Sequence, residues 1–187
     1  MPPSSPVSIS ACIVSYCDYE EVCAAVRSIL QHTPGQLDLY VVDNASPDGC
    51  GARLAGTDFA DGRVQVICLP QNLGFGGGHN SVLPRLESQV HFILNPDILV
   101  QDDILHDLSG WLLDHPDIAM ATPQLYFPDG RIQHLPRRKP TPWALFARQL
   151  APKLPGSVFA KTDRHYTMQD EDLTKPRPIE CCTGSFM

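Results

Sequence analysis

The sequence lacks any long apolar run. No stretch approaches the roughly 20 residues that cross a bilayer as a helix, and the opening MPPSSPVSIS has neither the basic segment nor the apolar stretch of a secretion signal. The seven cysteines, Cys12, Cys17, Cys23, Cys50, Cys68, Cys181 and Cys182, include no C-x-x-C pair. No Cys/His grouping has zinc-ligand spacing, and His79, His91, His106, His115 and His134 show no paired metal spacing. There is no G-x-S-x-G nucleophile elbow, and the glycine run at 74–78 lacks the Lys-Ser/Thr of a P-loop. Basic residues are scarce, 14 against 21 acidic, giving a net charge of −7. That balance argues against nucleic acid as a partner, because such binding relies on Lys and Arg at phosphates. These absences predict a cytoplasmic chain with reduced thiols. The one basic run, Arg137-Arg138-Lys139, reads as a solvated loop. Its functional alternative is attraction to a phosphate-bearing acceptor or to the inner face of a membrane, so peripheral membrane contact stays open.

What is present is a regular alternation. Val7 to Tyr16 is a β-rich apolar run, followed by Asp18 as a helix cap and an apolar stripe at Val22, Ala25, Val26, Ile29 and Leu30. Leu37 to Val42, Val64 to Leu69, His91 to Leu94 and Ile118 to Ala121 read as four further strands. Helices are expected after the second strand, over about 79–88 and over about 102–114. This order predicts a mainly parallel sheet with helices on both faces, an α/β three-layer fold of Rossmann-like kind. Beyond 122 the pattern changes. A hairpin is expected at 124–135, a helix at 143–150, a polar loop at 151–178 and the start of a strand at 179–187.

Ligands of such sheets bind beyond the carboxyl ends of the strands. Three polar segments fall there: Asp43 with Asn44 to Gly49, the glycine run 74–78, and Asn95-Pro96-Asp97. A carboxylate after a buried strand can hold a hard divalent cation, which suits Asp97, or accept the imide N–H of a pyrimidine, which suits Asp43. Glycines allow a close approach of backbone to ligand. Turn formation is the plainer explanation of each segment taken singly.

Taken together, the segments form a pattern. Ile13-Val14-Ser15-Tyr16, Val41-Val42-Asp43-Asn44-Ala45-Ser46, Asn72 to Asn80, Leu94-Asn95-Pro96-Asp97 and Asp129-Gly130-Arg131-Ile132-Gln133 occur in this order. The chain resembles the family 2 glycosyltransferases, in particular the rhamnosyltransferase-like branch. The resemblance implies a GT-A fold and an inverting, metal-dependent transfer from a nucleotide-diphosphate sugar, either dTDP-rhamnose or a UDP-sugar. It implies a glycan or lipid-linked acceptor of cell-surface polysaccharide synthesis. It places Asp97 on Mg²⁺ or Mn²⁺, and Ser15, Tyr16, Asp43, Asn72, Gly74, Gly78, Asn80 and Asn95 around the donor nucleotide. Cys17 departs from the asparagine frequent at that position. The family's base lies in an acidic motif after a Gly-Ala/Ser strand matched here to Gly184-Ser185, so no catalytic residue is expected within the chain, which reads as truncated at its C-terminus. The expected divisions are a mobile tail at 1–6, a nucleotide-sugar-binding core at 7–121 and the start of an acceptor-side region at 122–187. A non-catalytic nucleotide-sugar-binding module is the alternative reading.

Overall fold

A computed structural model describes residues 7–182 and 184–187, and the tail expected at 1–6 lies outside the described residues. The described residues divide into two compact units. One runs to Ala121 and takes in Gly184–Met187; the other starts at Thr122.

In the first unit, β1 (Ile9–Ser15) leads into α1 (Tyr19–His32), and β2 (Leu37–Asp43) into the short α2 (Cys50–Ala55). β3 (Val64–Cys68) then leads into α3 (Gly74–Asn80), and β4 (Val90–Leu94) into α4 (Ile104–Leu113). The four strands are parallel and ordered β3-β2-β1-β4. All seven residues of β1 are buried, as expected of an unbroken apolar run covered on both faces. Alternation sorts the side chains. Cys12, Val14, Tyr40 and Val42 pack with Val82 on one face, whereas Ser15 and Asp43 meet α2 on the other. The α1 stripe of Val22, Ala25, Val26 and Ile29 is buried, as its helical spacing predicts. Asp18 sits at the cap position, but its carboxylate accepts from the Tyr16 N–H at 3.3 Å instead of capping the helix.

Two expectations fail in this unit. Residues 118–121 form no strand. The free edge of β4 is taken by 185–187, which runs antiparallel to it. Ile93 and Met187 exchange both backbone hydrogen bonds, at 2.7 and 3.1 Å, and the Asn95 N–H donates to the Ser185 carbonyl at 2.9 Å. The helix expected over 79–88 starts five residues earlier, inside the glycine run, and gives way to a single 3₁₀ turn at Leu83–Arg85. Glycine is a poor helix former, yet close packing requires it here. A Cβ on Gly78 would lie 2.7 Å from Val14 Cγ1.

The second unit begins with a short antiparallel hairpin, β5 (Leu125–Tyr126) and β6 (Ile132–Gln133), turned at Gly130 with φ +81°. α5 (Pro142–Leu150) starts with a proline in its first turn, and its Thr141 cap accepts the Ala144 N–H. The polar loop expected at 151–178 contains α6 (Val158–Tyr166), capped in the same way by Ser157. In place of the strand expected over 179–187 there are isolated bridges, Arg137 with Cys181 in this unit and Leu94 with Phe186 in the first.

Candidate functional site: the carboxyl edge of the parallel sheet

Because the four strands are parallel and in register, their carboxyl ends open at one level. Ser15 lies opposite Asp43, Asp43 opposite Cys68, and Ile13 opposite Leu94. The loops leaving the first three strands are tied to one another. The Asn44 N–H donates to the Ser15 carbonyl, and the Leu69 N–H to the Asp43 carbonyl, each at 2.9 Å. Ser46 bridges two loops: its hydroxyl donates to Asp43 Oδ1 at 2.5 Å and accepts the Cys17 N–H at 2.9 Å. Cys17 and Ala45, at φ +66° and +60°, hold the left-handed geometry these tight bends need.

Asn44 fastens the third loop. It is 3% exposed. Its amide donates to Asn72 Oδ1 and to the Gly74 carbonyl, and its oxygen accepts the Leu73 N–H at 2.9 Å. Asn72 Oδ1 also accepts the Gly74 N–H at 2.8 Å. Donors that would be orphaned at the start of the glycine helix are thus satisfied by side chains. The sequence shows Asn44 and Ser46 only as turn formers. A polar residue directly after a buried strand is the signal that could have marked them as cross-ties.

The expected donor-site residues fall into two groups. Tyr16, Asn72, Gly74, Asn80 and Asp97 are exposed, and Asn95 is half-buried. Ser15, Asp43 and Gly78 are buried. The Ser15 hydroxyl faces Cys50 Sγ at 3.6 Å, so its side chain belongs to the interior and not to an open surface. Asp43 is 4% exposed. Its two oxygens are held by the Ser46 hydroxyl and N–H, and its carboxylate leaves no room for a Cβ on Gly51. Asp43 therefore reaches the expected edge with its carboxylate turned into the loop. Asp97 sits in a turn three residues past β4 and is open to solvent. No group of three or more His, Cys, Asp or Glu suited to a metal occurs among the described residues. An exposed lone carboxylate still fits a cation whose other ligands are phosphate oxygens and waters.

His79, one turn after Gly76, is 4% exposed, and neither ring nitrogen has a hydrogen-bond partner. Its ring meets Phe75 edge-on at 4.5 Å. Burial, with a smaller contribution from His91, pushes its pKa down to about 4, so the ring is neutral at pH 7.

Among solved structures the chain is similar to S. aureus TarS 1-349, with a TM-score of 0.52 and 16% identity over 71% of this chain and 42% of that one. It is also similar to the mannosyltransferase PcManGT from Pyrobaculum calidifontis in complex with GDP-Man and Mn2+. There the TM-score is 0.51, with 20% identity over 67% of this chain and 39% of that one. At these identities the likeness is one of fold, the α/β GT-A fold with its parallel central sheet. An uncharacterized protein, y4gI of Sinorhizobium fredii, is 30% identical over 114 residues, 59% of this chain. The chain spans only 12% of that relative's length. The pattern of glycosyl transferase family 2 matches residues 10–185, and to that family the chain belongs.

Proposed function

We propose that the carboxyl edge of the sheet binds a nucleoside-diphosphate sugar and serves the donor half of an inverting glycosyl transfer to a glycan or lipid-linked acceptor. dTDP-rhamnose is the first candidate donor and UDP-sugars are the next. The observation that carries this reading is the tying of three strand-end loops into one platform, with the exposed Asp97 carboxylate after the fourth strand at the same edge.

In this reading Tyr16 offers an exposed ring to the base. Asn72, Gly74 and Asn80 border the phosphates and sugar, and Asn95 holds the turn that carries Asp97. Asp97 is the residue that would hold Mg²⁺ or Mn²⁺, with phosphate oxygens and waters as further ligands. Bound there, such an ion stabilises charge on a departing diphosphate. Ser15, Asp43 and Gly78 act beneath the surface. Asp43 holds Ser46, and Ser46 holds the backbone next to Tyr16. An imide N–H of the base could meet Asp43 only at the lone pairs that Ser46 leaves free. Transfer itself needs a base to take the acceptor hydroxyl's proton as the oxygen attacks the anomeric carbon. Asp170 does not suit that role: hydrogen bonding to Arg138 holds its carboxyl down at about 2.

Calorimetric titration of the chain with dTDP and UDP, with and without Mn²⁺, tests the proposal. Metal-dependent binding that falls at least about tenfold in Asp97→Ala is expected, the loss of one charge-assisted contact. No nucleotide binding, or binding that Asp97→Ala leaves untouched, overturns it.

A further inference from the structure

We propose that the outward face of the α5–α6 pair is a docking surface for an anionic lipid bilayer. A helix of a water-soluble domain normally turns its large apolar residues inward. α5 does the reverse. It buries Ala144 and Ala147, with Ala151 following, and leaves Trp143 and Phe146 each 51% exposed. These two rings stand 6.0 Å apart, and both lie close to the Phe159 ring of α6, at 5.7 and 6.2 Å. The result is a continuous aromatic patch spanning two helices. Leu154 and Val158, on the link and at the start of α6, are 46% and 59% exposed. Exposed apolar patches of this kind mark interaction surfaces, and tryptophan favours the level of lipid headgroups.

Charge selects the partner. Between Lys139 and Arg164 the sequence carries five basic residues and a single acid, Asp163, in a chain of net charge −7. One oxygen of Asp163 is buried. Lys139, Arg148, Lys153, Lys161 and Arg164 are all exposed. Their neighbours in the basic run are spent internally: Arg137 donates to the His134 and Pro136 carbonyls, and Arg138 binds Asp170 and Glu171. An apolar, aromatic patch on a helix pair whose segment carries five exposed basic residues is complementary to an anionic membrane surface. A second copy of the chain fits less well, because a two-fold contact would bring together two segments of the same positive charge. No helix among the described residues is long and apolar enough to cross a membrane, so the pair would lie in the interface. This surface is independent of the donor-site reading and stands or falls without it.

Co-sedimentation of the full chain with vesicles tests the proposal. Binding is expected to vesicles of phosphatidylcholine with one-quarter phosphatidylglycerol, weakened by salt, and little to phosphatidylcholine alone. Trp143→Ser with Phe146→Ser should lower partition at least tenfold. Lys153→Gln and Lys161→Gln should each lower it about fivefold, the share of one basic residue near such a surface. These lysines are exposed, so their variants remain informative if the aromatic double variant fails to fold. Absence of vesicle binding, equal binding to neutral and anionic vesicles, or a soluble dimer abolished by the aromatic changes while vesicles go unbound would each overturn the proposal.

Discussion

The two units solve the problem of folding differently. The first buries phenylalanine, isoleucine, leucine and valine between a sheet and helices and leaves polar loops at one edge of that sheet. The second buries Ala144, Ala147 and Ala151 with Tyr166 and Met168, leaves Trp143 and Phe146 half-exposed and ties part of its charge into ion pairs around Arg138. One unit is held by apolar burial and keeps polar loops at its edge. The other has apolar side chains to spare, which is the signature of a surface that meets something else.

The sharpest way to break this comparison is to truncate a phenylalanine in each unit. Phe92 is 2% exposed and meets Phe186 at 6.0 Å. Phe92→Ala should cost about 3–5 kcal/mol. Phe146 is half-exposed, and Phe146→Ala should cost under about 1 kcal/mol. Urea unfolding of both variants checks this. Equal losses would mean that the second unit has a core of the same kind and that its aromatic face is structural.

A pH titration separates the units next. The folded pKa of His79 is about 4 against the ordinary imidazole value of 6.5, so the unfolded chain binds more protons between those values. Stability from keeping this ring neutral is therefore complete above pH 6.5 and is lost as the pH falls toward 4. The loss is on the order of 2–3 kcal/mol. His91 is shifted the same way by burial and adds to the trend. Unfolding curves of His79→Leu at pH 7 and pH 4.5 should show much of this dependence gone. A slope unchanged from the parent would show that His79 does not carry it.

The strands of the first unit could be read from the chain because each is an apolar run ended by turn formers, and a parallel sheet demands such runs. The hairpin at Gly130 was equally plain. The glycine helix was not, since its helicity depends on side chains of Asn44 and Asn72 and on the closeness of Val14, which lie far apart in sequence. The strand expected at 118–121 failed because pairing at an edge is a contest between segments, and 185–187 holds the β4 edge. α6 was hidden by its polarity, although Ser157 before Val158 was a legible cap. For the site, the sequence indicated which residues reach the edge. It could not indicate that Ser15 and Asp43 turn inward, because orientation at a strand end is decided by what packs there.

The smallest effect probes the ion pairs of the second unit. Arg138 joins Asp170 at 2.8 Å and also Glu171, which in turn binds Arg177. These groups are partly exposed, so solvent screens them, and such pairs contribute about 1 kcal/mol or less. Arg138→Gln should therefore lower stability by no more than that, and added salt should shrink the difference. Acid provides the complementary test. The pKa of Asp170 is lowered from 3.8 to about 2, chiefly by Arg138, so its contribution is present above pH 3.8 and is lost as the pH falls through 2. This window lies below that of His79. Hydrogen exchange followed separately in the β1–β4 sheet and in α5–α6 should register acid first in the sheet and only later in the helix pair. The reverse order would show that acid loosens the helix pair above the Asp170 window, so that the Arg138–Asp170 contact does not set its acid response.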